Sequence, residues 1–324
     1  MGKLLKKIKN FVVNDSPLLV PADLPAFKKE LAVWCNAVIL RWHITDWCNY
    51  SCPYCNQHHV RKSAFDFHTP HEWIRALVDN FREQKLVVTI SGGEPMLDRS
   101  NMYGFLSELL VKSFVDNVRI DTNLSWNPEA YATLPCKDKL IFMCTLHTTQ
   151  TNLVDYLNRL RKLLSFGFRV GMVNYVMYGE QVSHFNSLKK TFTEFGVPLH
   201  PNPLWNSIPS EDLKRLMFDS LSELDLYYRC GGRTKGKSCI YPMLSYRMDQ
   251  FGKLTVGCFP YLRGDLFKNR IPKRLEVPIA CPQNSCFCLD KYSFIKGVNR
   301  NFGLNILKIY SEILCCKMKS EQVQ

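Results

Sequence analysis

The chain has 324 residues, 46% of them hydrophobic and 22% charged, the balance of a folded domain with a substantial core and not of a disordered or fibrous protein. Lys and Arg number 42 against 29 Asp and Glu, a formal charge of +13, and no apolar run reaches membrane-spanning length. Fourteen cysteines without an evident secretory leader point to metal ligation in a reduced cytoplasm, not to a disulfide scaffold.

Residues 1–36 read as an N-terminal extension. Within it Leu4, Leu5, Ile8, Phe11 and Val12 recur at helical spacing among Lys3, Lys6, Lys7 and Lys9. Such a basic amphipathic segment docks on its own domain or touches anionic lipid. From residue 38 onward short apolar strands alternate with amphipathic helices. The patterns predict strands over 38–44, 86–91, 117–122, 140–146, 169–177 and 198–204. Helices are predicted over 71–83, 101–112, 153–165 and 181–195, with a short one at 128–134 and a closing one at 209–228. That alternation predicts parallel βα units and an α/β fold.

Two motifs follow the first two strands. Cys48, Cys52 and Cys55 stand at C-x3-C-x2-C spacing on one tight loop. A [4Fe–4S] cube normally takes four cysteines, so three leave one iron open. Zinc sites pair C-x2-C with a second such pair or with histidines, and neither pattern follows here. The second motif is Val87-Val88-Thr89-Ile90-Ser91-Gly92-Gly93-Glu94-Pro95, a β-branched run ending in two glycines. Glycines at a strand end let backbone approach a ligand closely, and Glu94 is placed to pair with a cation.

In this order and at this distance, the cysteine loop, Tyr54 just before the third cysteine and the Gly-Gly-Glu-Pro strand end resemble the radical S-adenosylmethionine (SAM) enzymes. The resemblance implies a partial, TIM-like (β/α)6 barrel over 37–229, with its functional groups on loops after the strands' C-terminal ends. It implies Cys48, Cys52 and Cys55 as ligands of a catalytic [4Fe–4S] cluster whose open iron chelates SAM, and Gly92, Gly93 and Glu94 at the methionine amino group. One electron from the reduced cluster then cleaves a carbon–sulfur bond, and the 5′-deoxyadenosyl radical takes hydrogen from substrate. A reductant such as flavodoxin or ferredoxin is implied as partner. Tyr54 is carried over as a cofactor neighbour. Thr122-Asn123-Leu124 stands where relatives often show Thr-Asn-Gly; the departure at Leu124 weakens a role for that residue and leaves Thr122 as another such neighbour. Thr145-Leu146-His147 stands where they show Ser-Leu-Asp, placing Thr145 at the ribose and His147 toward substrate. Asn174 matches a fifth-strand Asn that contacts SAM in some members.

Residues 230–300 carry a second cysteine set, Cys230, Cys239, Cys258, Cys281, Cys286 and Cys288, around a hairpin pattern with its turn near Gly252. The layout resembles the twitch domain, a trimmed relative of the SPASM domain. It implies one auxiliary [4Fe–4S] cluster on Cys239, Cys258 and two of Cys281, Cys286 and Cys288. Four cysteines alone equally suit zinc. Cys35, Cys136 and Cys144 read as small core residues, and Cys315 and Cys316 as structural residues of a helical tail over 301–324. Between residues 231 and 300, thirteen Lys or Arg face four Asp or Glu, among them Lys268, Arg270, Lys273 and Arg274. This excess is a solvated surface or an attractor of an anionic substrate.

The expectation is a cytoplasmic radical SAM enzyme with one catalytic and one auxiliary cluster that oxidises or rearranges a small molecule or peptide. One alternative is a radical SAM epimerase whose hydrogen donor is a cysteine such as Cys230. Another is a non-catalytic Fe–S or zinc protein that binds nucleic acid through basic residues interleaved with Tyr261, Phe267 and Tyr292.

Overall fold

A computed structural model describes residues 37–55, 60–179, 181–204, 235, 238–239, 241–257, 259–276, 279–280 and 295–296. The predicted N-terminal amphipathic segment, the helices at 209–228 and 301–324, and Cys35, Cys230, Cys258, Cys281, Cys286, Cys288, Cys315 and Cys316 lie outside the described residues. The chain divides into two compact units. One comprises Glu30–Trp205 and Leu244–Arg274, the other Met1–Lys29, Asn206–Met243 and Leu275–Gln324.

In the first unit six strands run in chain order and pair in parallel: β1 (Ala37–Thr45), β2 (Lys85–Gly92), β3 (Val115–Thr122), β4 (Leu140–Leu146), β5 (Arg169–Met177) and β6 (Leu199–Pro203). Between them lie α1 (Pro70–Phe81), α2 (Arg99–Leu110), α3 (Leu153–Ser165) and α4 (Gln181–Glu194). The α/β expectation is met, with a sheet that stays open, as a partial barrel requires.

Alternation along the strands assigns the two faces. Val38, Leu40, Trp42 and Ile44 are at most 1% exposed. The Trp42 ring lies 4.5 Å from Trp73 of α1 and 5.3 Å from Phe105 of α2. Each such fully buried aromatic contributes about 2–3 kcal/mol. Farther along the same face Tyr175 of β5 stacks on Phe185 of α4. The helices therefore cover one face, and the intervening strand residues turn to the other. Helix starts follow from local chemistry. Thr69 and Glu72 form a capping box with Pro70 at the first position of α1, and Asn152 accepts from the Asp155 N–H at 2.8 Å to open α3.

Two features differ from expectation. The hairpin assigned to the C-terminal region forms as β8 (Ser245–Met248) and β9 (Lys253–Val256), with Gly252 at φ +75° in the turn. It adds to the large sheet: β8 pairs in parallel with the outer edge of β1, and β10 (Phe259–Asp265) follows β9. The order is β10-β9-β8-β1-β2-β3-β4-β5-β6. Buried Tyr246 and Met248, with the Trp42 Nε1–H donating to the Asp249 carbonyl at 3.2 Å, hold the hairpin there. Cys136 is no core residue; it is exposed, at φ +48°, heading the 3-10 turn Lys137–Lys139, whereas Cys144 is buried as expected. In the second unit β7 (Ser238–Cys239) lies between β11 (Ile279–Ala280) and β12 (Ile295–Lys296), antiparallel to both. Among the described residues no helix is long and apolar enough to cross a membrane.

Candidate active site

The cysteine loop leaves the C-terminal end of β1 and is gripped by the end of β2. The Gly93 N–H donates to the Thr45 carbonyl at 2.7 Å, and the Glu94 N–H to the Trp47 carbonyl at 2.7 Å. A Cβ on Gly92 would stand 2.1 Å from the Thr45 oxygen, and one on Gly93 2.1 Å from the Trp47 oxygen. Gly92 also adopts φ +142°. The two glycines are thus required by the backbone entering the cysteine motif, a closer reason than approach to a ligand. The Gly93 and Glu94 amides are turned to the loop, which leaves carbonyl oxygens, acceptors suited to an ammonium group, as what this strand end can present.

Glu94 is 1% exposed and accepts three hydrogen bonds. Oε1 takes the Thr122 hydroxyl at 2.8 Å and the Met96 N–H at 3.1 Å; Oε2 takes the Asn123 N–H at 2.6 Å. Burial raises its pKa to about 7 against the lowering effect of those donors. Thr122 in turn accepts from the Leu124 N–H at 3.0 Å and the Trp126 Nε1–H at 2.8 Å. A hydroxyl has one proton and two lone pairs, so its bonding is complete within the protein. Expected as a cofactor neighbour, Thr122 instead positions Glu94. Leu124, standing where relatives have Gly, adopts φ +56° and is fully buried. The left-handed conformation survives the departure, at a cost of about 1–2 kcal/mol that its burial offsets.

Side chains from the ends of β3 and β4 complete the grip. Asn123 Nδ2 donates to Asn49 Oδ1 at 3.1 Å and approaches Cys48 Sγ at 3.7 Å. Gln150 Oε1 accepts from the Ser51 N–H at 3.0 Å. His147, expected to face substrate, packs on the cysteine loop: Nδ1 lies 3.0 Å from the Tyr54 hydroxyl and 3.4 Å from Cys52 Sγ, and its ring stacks on Tyr54. Burial lowers its pKa to about 4 and raises that of Tyr54. A protonated phenol beside a neutral imidazole donates to Nδ1, which places the ring proton on Nε2. Asn49 and Gln150 carry no motif that singles them out; Asn123 stands in the Thr-Asn pair of the sequence, where the resemblance gives a role to Thr122 alone.

The thiols suit a cluster. Cys48 and Cys52 are partly buried and Cys55 is exposed. Burial, reinforced by Glu94 and Cys55, raises Cys48, and burial with the neighbouring thiols takes Cys52 to about 11. With pKa values raised in this way the thiols are protonated, and a bound cation is what would hold them as thiolates. Among the described residues no three His, Cys, Asp or Glu side chains converge as they would on one metal ion. A cube, which spreads three thiolates over three irons, asks for no such convergence. Thr145 and Asn174 are partly exposed cross-strand partners at the ends of β4 and β5, with His200 beside Asn174 on β6. Cys239 lies in β7, in the other unit. A separate cavity of about 790 Å³ opens at the opposite end of the sheet, beside Lys85 and Arg274. It contains none of the motif residues, and Arg274 donates there to Gln84 at 3.3 Å.

Among solved structures the chain is similar to a polyhistidine-tagged anSMEcpe with bound AdoMet, at 12% identity over 72% of this chain and 75% of that one, with a TM-score of 0.53. It is similar to native anSMEcpe with bound AdoMet and Cp18Cys peptide, at 12% identity over 71% and 77% of the two chains, TM-score 0.51. It is also similar to Streptococcus suis SuiB bound to S-adenosylmethionine, at 15% identity over 83% and 73%, TM-score 0.52. At such identities the likeness is one of fold. No curated protein sequence matches the chain. Residues 42–191, which hold the cysteine loop, the Gly-Gly-Glu strand end and the strands β2 to β5, match the family model of the Radical SAM superfamily.

Proposed function

We propose that the chain is an enzyme that reductively cleaves SAM and uses the resulting radical to oxidise or rearrange a small-molecule or peptide substrate. The observation that carries this reading is the clamp of the β2 end onto the cysteine loop, through the Gly93 and Glu94 amides. Cys48, Cys52 and Cys55 would hold a [4Fe–4S] cluster, which when bound supplies the electron for SAM cleavage. The chain's own residues do the rest. Asn123 and the Tyr50 N–H donate to Cys48 Sγ, fixing that ligand's orientation, while His147, held by the Tyr54 hydroxyl, packs against Cys52. Glu94, held by three donors, shapes the strand end whose carbonyls would accept the methionine ammonium. Thr145 and Asn174 supply polar groups for the rest of the cofactor.

We extend the reading to one auxiliary [4Fe–4S] cluster on Cys239, Cys258 and two of Cys281, Cys286 and Cys288, and to a flavodoxin or ferredoxin as electron donor. A peptide is included among the substrates because native anSMEcpe, a neighbour in fold, holds one beside AdoMet. Anaerobic reconstitution tests the reading. The loaded, dithionite-reduced protein is expected to bind about eight irons, as two cubes, and to release 5′-deoxyadenosine from SAM. No release rejects the enzyme; about four irons with stoichiometric zinc rejects the auxiliary cluster alone.

A further inference from the structure

On the face of the sheet opposite the helices, strand register assembles one row of side chains just below the strand ends that hold the cysteine loop. Trp42 and Ile44 of β1 are buried on the helix side, so His43 between them points to the other face. His43 pairs with Ser91 of β2. Asp121 of β3 comes one residue after the Ile90–Ile120 pair, as Ser91 does, and paired positions share a face. Asp121 pairs in turn with Met143 of β4, and Met143 with Met172 of β5. The row therefore runs from three polar side chains to two thioethers. Ser91 immediately precedes Gly92, which puts the row one residue, about 3.3 Å along the strand, below the glycine clamp.

Two of the three polar groups are oriented by partners outside the row. An ionised carboxylate only accepts, so the 2.6 Å contact of Asp46 Oδ1 with His43 Nε2 carries a ring proton on Nε2. Asp46 Oδ2 accepts from Nε2 of buried Gln250 at 2.9 Å, in the turn between β8 and β9. The neutral ring then has its lone pair on Nδ1. Asp121 Oδ1 accepts from Nε and Nη2 of Arg119, at 3.1 and 3.0 Å, which leaves Oδ2. Among the described residues His43 Nδ1, the Ser91 hydroxyl and Asp121 Oδ2 have no partner, and all three residues are partly exposed. Both carboxylates are already answered. What the row still offers is two lone-pair acceptors with a hydroxyl between them that donates or accepts.

We propose that His43, Ser91 and Asp121 bind hydroxyl groups of an uncharged part of the substrate, with Met143 and Met172 against its carbon skeleton. The proposal deepens the function proposed above and rests on it. A hydroxyl donates to Nδ1 or Oδ2 and at the same time accepts from the Ser91 Oγ–H. An ammonium, without a lone pair, cannot accept, and a carboxylate, without a proton, cannot donate. His43 and Asp121 stand two strands apart, about 10 Å at the backbone, so the bound group presents two hydroxyls and not one. Beyond Asp121 the thioethers form an adaptable apolar wall. Gly171 of β5 keeps room for it, since a Cβ there would stand 2.7 Å from Met143 Sδ. The ligand class is thus a hydroxylated carbon skeleton, its polar edge over β1 to β3 and its apolar edge over β4 and β5.

The test uses the full-length chain without cluster or SAM, so that it stands or falls apart from SAM cleavage. A cyclohexane diol is titrated at constant ionic strength, beside the diamine and the dicarboxylate of the same ring, while isotope-edited NMR follows the histidine ring nitrogens. His43→Gln assigns the His43 signals. The His43 ring is expected to carry its proton on Nε2, and its Nδ1 signal to shift saturably with the diol. The diamine and the dicarboxylate are expected to bind at least tenfold more weakly. His71, an exposed histidine 3.2 Å from Glu108, reports non-specific effects in the same spectra and is expected not to move. Ser91→Ala is expected to weaken diol binding severalfold. A His43 proton on Nδ1, no saturable shift with the diol, a charged probe bound as tightly, a matching shift at His71, or undiminished binding by Ser91→Ala overturns the proposal. Failure of 5′-deoxyadenosine release with diol binding intact would overturn the enzyme reading and leave the hydroxyl site standing.

Discussion

The strands of the large sheet end in two different ways. At the ends of β1, β2 and β3 polar groups are occupied by the protein: the Gly93 and Glu94 amides by the loop, Glu94 by three donors, Thr122 by three partners. At the ends of β4 and β5, Thr145 and Asn174 are partly exposed and have no such partners among the described residues. The first corner is scaffold for the cysteine loop; the second has hydrogen-bonding capacity left for a ligand. Residues that look alike as motif positions thus divide into those that hold the protein together and those that can hold a cofactor.

The scaffold corner is most sensitive at Gly93. In Gly93→Ala the new Cβ meets the Trp47 oxygen, backbone that cannot rotate away, so the loop must move. The variant is expected to lose about four irons on reconstitution while Asn174→Ala loses none. Equal iron contents would show that the clamp does not position the cysteines.

Next in size is Glu94. Burial lifts it from the ordinary 4.5 to about 7, so the native state holds its proton more tightly than the unfolded chain does. That contribution to stability is complete below about pH 4.5 and is lost as pH rises through 7, a change of about 3 kcal/mol. Denaturant midpoints of the metal-free chain at about pH 5 and about pH 8 measure it. Glu94→Gln is expected to flatten the difference, and an unchanged slope would mean that the charge is not confined as described.

Thr122→Val removes the donor to Glu94 and leaves Leu124 and Trp126 without their acceptor. It is expected to cost about 1–3 kcal/mol, with a larger loss of iron loading than its distance from the thiols suggests. Thr145→Ala and Asn174→Ala sit at the opposite extreme. Each is expected to change stability by less than about 0.5 kcal/mol while weakening SAM binding severalfold. A stability loss as large as that of Thr122→Val would erase the distinction between the two corners.

How much of this is legible before folding varies by element. The six parallel strands and four helices follow from periodicity and caps, because each buries one continuous face. The glycine pair announces a close approach, though not that the approaching group is the backbone of Thr45 and Trp47. His147 and Thr122 read as ligand-facing because family position says nothing of which hydrogen bonds are already satisfied. Leu124 hides a left-handed turn behind an apolar side chain. The placement of β8 beside β1 escapes the sequence because a four-residue strand records no partner.

The central claim is that Cys48, Cys52 and Cys55 make the chain a SAM-cleaving enzyme. Its most direct test is 5′-deoxyadenosine release from SAM by reconstituted, dithionite-reduced wild type beside the Cys48→Ala, Cys52→Ala, Cys55→Ala variant. The account predicts release by wild type and none by the variant; undiminished release by the variant would contradict it.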